Sequence, residues 1–274
     1  MREGWKYYNH ALIPTTAPHE NVKNLMFDRE FWENTRGYPL FARWTSNFDC
    51  GYETSWWYVI KDTPFDINAL KAKRRYEINK GKKNFDVKKI RPSEHRDELY
   101  EVLMAAYQGW PEKYRPTVNK EKFKNSINSW GDLIVYGGFD KVEGKLCAFS
   151  YLKEYPNYLE FSVLRARPDS ERSGINAAMV VAILEDYNER LGKAFYINDG
   201  ERAIRHETAF QDYLEKYFGF RKAYCRLNIQ YQWWVKTIVK TIWPFRKIFV
   251  ANNKIGSIIS SVMKMEECCK NKQN

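Results

Sequence analysis

The stretch from Leu133 to Tyr231 constrains the fold most, because its hydrophobic period changes in a definite order. Three strand-like runs come first, and the turn-forming segments 140–144 and 155–157 separate them. Such short connections predict an antiparallel meander. A long apolar helix, a strand, a second helix and a last strand follow. The predicted strands are Leu133–Phe139, Lys145–Glu154, Tyr158–Arg165, Ala194–Asn198 and Arg221–Tyr231, and the predicted helices are Gly174–Leu191 and Glu207–Phe218.

The first half of the long helix is apolar on nearly all sides. Ile175, Ala178, Met179 and Ile183 make one stripe at helical spacing, and further apolar residues fill most of the remaining circumference. We therefore expect the first half of this helix to be buried on nearly all sides. The stretch therefore predicts a mixed, mainly antiparallel sheet flanked by helices, an α/β (α+β) fold.

The upstream region adds strands and helices before the meander. Segments 40–48 and 53–61 read as two strands around a turn. Asp66 is a candidate cap for a helix that Gly81 would end, and a short strand at 85–90 follows. Helical spacing recurs at 94–109 and, more weakly, at 119–130. We therefore predict three parts: a β-rich N-terminal part (1–66), the main domain (67–231) and a basic C-terminal segment (232–274).

The net charge of +11 is concentrated in two places. Residues 71–91 contain ten Lys and Arg against two carboxylates, and residues 231–274 contain eight against two, so the remainder of the chain is slightly acidic. Either segment could face the phosphates of a cofactor, an RNA or a membrane, or could be a solvated lysine-rich surface.

The five cysteines show no metal-ligand or disulfide spacing, so we expect neither a zinc site nor a disulfide framework. The first ten residues lack the apolar core of a signal peptide, and no window of about 20 residues is free of charge. We therefore expect a cytoplasmic protein without a spanning segment, and we expect no DNA partner.

The order of elements in residues 85–231 resembles the GNAT acyltransferase fold. The loop Glu171-Arg172-Ser173-Gly174-Ile175-Asn176 lies where GNAT enzymes usually carry Arg/Gln-x-x-Gly-x-Gly/Ala, and it matches at Gly174 only. The resemblance implies acetyl-CoA or another acyl-CoA as the donor, because a helix N-terminus offers unpaired N–H groups to a pyrophosphate. Alternatively, Ser173 is simply a helix cap and Gly174 a bend. The implied donor-binding residues are Val163, Arg165, Arg172, Ser173, Gly174, Ile175 and Asn176.

The N-terminal side is similar to the linker of FemAB-like transferases. The residues that carry this similarity are Trp57–Ile60, Pro64-Phe65-Asp66 and the basic stretch Lys71–Lys83. In that group the linker joins two GNAT-like halves, so residues 1–65 would be a reduced first half. The group includes transferases that take aminoacyl groups from tRNA and enzymes that acylate sugars in polysaccharide pathways. The resemblance thus implies a glycan or small-molecule acceptor, and it makes tRNA an alternative donor.

Acyl transfer to an amine or hydroxyl needs a base for the acceptor's proton and hydrogen-bond donors for the thioester oxyanion. The polar stretch 198–207 is the preferred acceptor site, with Asp199 or His206 as base and Glu201, Arg202 and Arg205 as substrate-binding residues. Glu160, in the third meander strand, is another candidate base. The GNAT resemblance implies a protonating Tyr on the last helix, where Tyr217 and Tyr213 lie. Structural roles are the alternative for each of these residues.

The segment 232–250 alternates Trp and aliphatic residues with Lys and Arg. A basic, Trp-bearing amphipathic helix is typical of the membrane interface, and the alternative is a helix docked on the domain or on a partner chain. The sequence thus predicts an acyl-CoA-dependent transferase, peripheral to the inner face of the membrane if that helix binds lipid. Its rivals are an aminoacyl-tRNA-dependent transferase and a non-catalytic GNAT-like binding scaffold.

Overall fold

The computed structural model describes residues 3–23, 25–33, 37–110, 112, 115–204, 209–246 and 254–270. The strands are β1 (Trp5–Tyr8), β2 (Ala11–Pro14), β3 (Phe41–Ser46), β4 (Trp56–Lys61), β5 (Phe85–Ile90), β6 (Leu133–Asp140), β7 (Leu146–Glu154), β8 (Tyr158–Ala166), β9 (Tyr196–Glu201) and β10 (Arg221–Tyr231). The helices are α1 (Arg29–Glu33), α2 (Ala72–Asn84), α3 (Arg96–Gln108), α4 (Lys120–Ser126), α5 (Pro168–Glu171), α6 (Ile175–Tyr187), α7 (Ala209–Phe218), α8 (Trp233–Ile242) and α9 (Lys254–Lys270).

The chain forms two compact units. Unit 1 comprises Met1–Val59, Glu201–Ala209 and Lys222–Asn274, and unit 2 comprises Ile60–Gly200 and Phe210–Arg221. The three-part division drawn from the sequence stays a prediction.

Unit 2 is built on a sheet with the strand order β9-β8-β7-β6-β5. The pairs β6/β7 and β7/β8 are antiparallel, as the short turns predicted. The pair β5/β6 is also antiparallel, and β8/β9 is parallel. Helix α3 packs on one face through a core that includes Leu99, Val102 and Phe149. Helix α6 packs on the other face, where Gly138 leaves room for Ile175 and Met179. The apolar circumference of α6 is explained by burial between this sheet and α2.

Helix α2 differs from its prediction at both ends. Asp66 caps only a short 3-10 turn at Ile67–Ala69, and α2 begins at Ala72. The expected stop at Gly81 is wrong, since the helix continues to Asn84. Gly81 is needed for close packing, because its backbone lies directly against that of Gly174. A glycine in a helix interior serves this purpose when two backbones approach closely.

Unit 1 contains strands in the order β1-β2-β3-β10-β4. Strands β2 and β3 are parallel, whereas β1/β2 and β3/β10 are antiparallel. Helices α8 and α9 share one core with β10, and α1 closes a second, aromatic core around Trp5 and Phe31. The sequence analysis did not predict β1, β2 or α9. The predicted fold class, a mixed and mainly antiparallel sheet with flanking helices, is confirmed.

In the described ranges, no helix combines the length and the apolar character that crossing a bilayer requires.

Candidate functional site

The parallel ladder between β8 and β9 is short. Its pairs are Tyr158–Tyr196, Leu159–Ile197 and Glu160–Asn198, and no pair beyond them joins the two strands. Strand β8 continues to Ala166, so its carboxyl half lacks a described strand partner on the β9 side. Two parallel strands that part in this way leave an opening in a sheet, where a ligand can reach backbone groups.

An irregularity in β8 lies where this opening begins. Tyr151 of β7 pairs with Val163 and Leu152 pairs with Phe161, so Ser162 is left out of the register as a bulge. Ser162 is exposed. Bulges redirect side chains and interrupt pairing, and they are over-represented beside active sites. No local sequence pattern indicated this bulge.

Asp199 is the first residue of β9 beyond the ladder. Burial raises the pKa of its carboxyl group to about 7, against the opposing effect of a hydrogen bond with Gln211 of α7. The neighbouring Asn198 is buried and accepts a hydrogen bond from the Gly200 N–H at 3.0 Å. A carboxyl group that titrates near neutral pH can both take up and release a proton. The structure thus places the predicted base Asp199 beside the opening, together with Gln211, which the sequence analysis missed.

Glu160, the second candidate base, is the last residue of the β8 side of the ladder, opposite Asn198. It is half-buried. Phe161, the next residue, packs edge-on against Phe210 near the start of α7, with ring centroids 5.7 Å apart. Glu160 therefore lies at the same end of the ladder as Asp199. His206 and Arg205 lie outside the described residues, and their roles stay predictions.

Tyr217 has one face of its ring covered by a cation. The guanidinium carbon of Arg74 lies 3.2 Å from the Tyr217 ring centroid and 5.7 Å from that of Tyr213. Arg74 also forms an ion pair with Glu77 at 2.5 Å, while its Nε is buried without a hydrogen-bond partner in the described structure. Burial raises the pKa of Tyr213 to about 12. From the sequence, Arg74 was noted only as part of a basic stretch.

The start of α6, the expected pyrophosphate site, is packed against α2. Gly174 caps the helix with φ +91°, and a Cβ there would lie 2.9 Å from the Gly81 nitrogen. Lys80 Nζ donates to the Arg172 carbonyl at 2.7 Å, and Asn84 Nδ2 donates to the Ser173 carbonyl at 3.1 Å. The glycine at this position is thus required by helix packing.

The remaining predicted donor-binding residues have mixed surroundings. Ile175 is buried, whereas Asn176 is half-buried and Arg172 exposed. A pyrophosphate here would meet the N–H groups of the first α6 turn and the positive charges of Arg172 and Lys80. Asp169 and Glu171, on the preceding helix α5, oppose that attraction. The site therefore fits a phosphate group in part.

Arg165 and Val163 lie on the carboxyl half of β8, which pairs with β7 but lies beyond the ladder with β9. Val163 is packed against the α3 core. The Arg165 guanidinium lies 5.8 Å from the Tyr107 ring centroid and 5.6 Å from that of Trp110. Its Nη1 donates to the Leu164 carbonyl, and its Nε is buried without a hydrogen-bond partner in the described structure. Arg165 thus has donor capacity left for an anionic or carbonyl ligand.

The predicted substrate-binding residues Glu201 and Arg202 belong to unit 1 and are engaged there. Both Glu201 oxygens accept hydrogen bonds from Arg43, and Trp56 Nε1 donates to Oε2 at 3.2 Å. Arg202 stacks over Trp57 at 4.6 Å and donates to the Ser55 carbonyl at 2.5 Å. These contacts give both residues a structural role within the unit, and their substrate-binding role stays a prediction.

Within the described part of the chain, no group of three or more His, Cys, Asp and Glu side chains is arranged to hold a metal ion.

No family model and no curated protein matches this chain. Similar solved structures include the PaiA N-acetyltransferase from Thermoplasma acidophilum, in complex with coenzyme A. It is 21% identical, with 39% of this chain and 73% of that one covered and a TM-score of 0.31.

FemX is 9% identical, with 68% of this chain and 63% of that one covered and a TM-score of 0.49. The C-terminal domain of a protein described as a lysylphosphatidylglycerol synthetase, from Agrobacterium fabrum, is 12% identical. The match covers 87% of this chain and 84% of that one, with a TM-score of 0.46. These likenesses are to an N-acetyltransferase and to FemX, the kinds of protein that the resemblances stated above led us to expect, and they concern the fold alone.

Proposed function

We propose that this protein is an acyltransferase whose reaction takes place at the opening between β8 and β9. The observation that carries the proposal is the position of Asp199, whose carboxyl pKa is about 7, at the end of a three-pair parallel ladder. A buried carboxyl group tuned toward neutral pH is typical of acid–base sites. We infer that a substrate bound along the carboxyl half of β8 would meet this carboxyl group.

The reaction follows from these groups. Asp199 accepts the proton of an amino or hydroxyl acceptor while the acceptor's nitrogen or oxygen attacks the acyl carbonyl carbon. The carbon–sulfur bond of the thioester then breaks, and the thiolate takes a proton from Tyr217. The products are the acylated acceptor and the free thiol. Glu160 is the alternative base, at the same end of the ladder.

For the donor we propose acetyl-CoA or a related acyl-CoA. The N-terminus of α6, Arg172 and Lys80 favour a phosphate-bearing donor, and Arg165 has unused donor capacity on the adjoining strand. The acceptor we propose is an amino or hydroxyl group of a small molecule or a cell-surface glycan precursor. The cytoplasmic location expected from the sequence stays a prediction.

Ligand-induced stabilisation tests the donor. Acetyl-CoA, CoA and an aminoacyl-tRNA are each added to the protein, and the melting temperature is recorded. A donor present at about 100 times its Kd stabilises the folded state by about 2.7 kcal/mol. We expect acetyl-CoA and CoA to raise the melting temperature. No response to any of the three ligands would favour a non-catalytic scaffold.

A pair of matched variants tests the base. Asp199→Asn removes the titrating group at nearly constant volume, and Asp212→Asn makes the same change at an exposed position of α7. With acetyl-CoA and a panel of amines, we expect Asp199→Asn to lower kcat about 100-fold or more, since a general base contributes at least that factor. Asp212→Asn should leave the rate unchanged. Equal rates in both variants would exclude Asp199 as the base.

An aminoacyl-tRNA donor is the second candidate, and the outer surface of α2 favours it. Lys73, Tyr76, Lys80 and Lys83 are exposed and fall within one narrow sector of the helix. Interleaved lysines and an aromatic ring suit a nucleic-acid backbone. If tRNA binds there, Lys73→Gln with Lys83→Gln weakens binding and reduces its salt dependence, whereas Lys122→Gln with Lys145→Gln does neither. Loss of acetyl-CoA binding in the first pair would instead assign these lysines to CoA.

A further inference from the structure

Helix α8 presents large apolar side chains to solvent. The exposed fractions are 81% for Trp233, 40% for Trp234 and 49% for Ile238, and Phe245 just beyond the helix is 57% exposed. Single exposed apolar residues are common, but a cluster of this size marks an interaction surface. We call Trp233, Trp234, Ile238 and Phe245 the outer apolar cluster.

The opposite side of α8 fixes its orientation within unit 1. Val235 and Val239 are buried in the same core as Val262 and Met263 of α9. They lie four positions apart and so share one face of the helix. Helix α8 therefore buries one apolar face in the core of unit 1, and the outer apolar cluster is a second, separate apolar surface.

The sequence that contains this cluster carries charges of a single sign. Between Glu215 and Glu266 the sequence contains no Asp or Glu. Lys236 and Lys240 are exposed on α8 and form no ion pair with any residue that the structure describes. Arg246, in contrast, is 3.9 Å from Glu267 of α9. Lys236 and Lys240 thus remain available to an external anion.

We propose that α8 docks on an anionic membrane surface, with the outer apolar cluster in the interfacial layer and Lys236 and Lys240 at the lipid phosphates. Trp is favoured at the level of the headgroups, because its ring is apolar and its N–H can meet water or phosphate. Lysine keeps its ammonium group at the phosphates while its methylene stem lies along the apolar layer. A basic helix that lies in the membrane plane has this combination.

Charge favours a membrane over a second copy of the chain. In a two-fold contact the same surface meets itself, so the lysines of the two copies would come together. No carboxylate between residues 216 and 265 is available to separate them. A free phosphate ion would be attracted by the lysines but would leave the Trp rings in water. An anionic bilayer satisfies both groups at once.

Co-sedimentation of the full chain with vesicles tests the proposal. Vesicles of phosphatidylcholine with 30% phosphatidylglycerol are compared with pure phosphatidylcholine, at low and at high salt. The variants are Trp233→Ser/Trp234→Ser/Ile238→Ser and Lys236→Gln/Lys240→Gln. The controls are Tyr38→Ser, at another exposed aromatic residue, and Lys122→Gln/Lys145→Gln. A thermal melt of each variant shows that it is folded.

We expect binding to the anionic vesicles only, with loss of sedimentation in the apolar variant and about 30-fold weaker partitioning in the lysine variant. The controls should bind like the wild type, and millimolar inorganic phosphate should not compete. Equal sedimentation of the wild type and the apolar variant would overturn the proposal. The proposal would also be overturned if the wild type formed a dimer without binding vesicles, and if the apolar variant did not form that dimer. None of these outcomes depends on Asp199, so the proposed acyl transfer stands or falls separately.

Discussion

The backbones of Gly81 and Gly174 are in direct contact. A Cβ on Gly174 would lie 2.9 Å from the Gly81 nitrogen and 3.0 Å from the Glu77 carbonyl oxygen, both in α2. Gly174 has the positive φ of +91°, which side chains rarely adopt. This contact holds α2 against the first turn of α6. A substitution at Gly174 would therefore disturb the packing of the two helices, and its effect would not measure the loss of a phosphate contact.

Gly81→Ala tests this contact. In an ordinary helix interior, Gly→Ala is stabilising by about 0.5–1 kcal/mol. Here the added methyl group meets the Gly174 backbone and the Ala178 Cβ at 3.2 Å, so we expect a loss of roughly 1–3 kcal/mol in the free energy of unfolding. Urea denaturation measures it. Gly131→Ala, where no atom lies within 4 Å of the new Cβ, is the control and should be nearly neutral. A stabilised Gly81→Ala protein would contradict the packing role.

The order of elements in unit 2 was predictable because turn residues separate the meander strands and because the long helix that follows them is apolar on nearly all sides. The meander strands and the apolar α6 were found within a few residues of their observed ends. The predicted stop at Gly81 was wrong, because a glycine occurs both at helix ends and at tight helix–helix contacts, and the local sequence does not distinguish the two. The tertiary structure identifies Gly81 as a contact residue, because its backbone lies against that of Gly174, which is far along the sequence.

The candidate site was predictable in part. Asp199 was found because it follows a predicted strand in a polar stretch, whereas its raised pKa depends on burial that no local pattern encodes. The pairing of Arg74 with Tyr217 and the bulge at Ser162 also depend on tertiary contacts and strand register.

The carboxyl group of Asp199 should make stability depend on pH. Its pKa of about 7 in the folded protein exceeds the ordinary value of 3.8, so between these values the folded state binds more protons than the unfolded state. Stability therefore falls as pH rises from about 4 to about 7 and is constant above that. The total loss is on the order of 4 kcal/mol. Chemical denaturation across this range measures it.

Asp199→Asn is the matched comparison, because the amide does not titrate. We expect the variant to lose this component of the pH dependence and to be at least as stable as the wild type at pH 8. Asp212→Asn, at an exposed position of α7, should keep the wild-type slope because it leaves the Asp199 carboxyl group in place. Identical slopes for all three proteins would show that Asp199 does not titrate with the raised pKa.

Tyr217→Phe separates the two roles of this ring. Phenylalanine keeps the face on which the Arg74 guanidinium lies, 3.2 Å from the ring centroid, so the melting temperature should stay close to that of the wild type. If the hydroxyl group protonates the leaving thiolate, kcat should fall by about 100-fold. Release of free thiol from acetyl-CoA measures the rate, and the same assay on Tyr213→Phe shows which of the two tyrosines acts. If turnover were unchanged in Tyr217→Phe, the Tyr217 ring would have only a packing role.

Glu201 and Arg43 should behave as a coupled structural pair. The Arg43 side chain is 13% exposed and that of Glu201 28%, and Arg43 contacts both carboxylate oxygens. Either single change, Arg43→Met or Glu201→Gln, leaves a largely buried charge unpaired. We expect each change to lower the free energy of unfolding by about 2–4 kcal/mol. This is less than for a fully buried pair, because both side chains are partly exposed. The double variant should cost less than the sum of the two, which a double-mutant cycle by urea denaturation measures. Additive costs would show that the pair is uncoupled. A Glu201→Gln protein of wild-type stability that has lost acyl transfer would instead support the substrate-binding role predicted from the sequence.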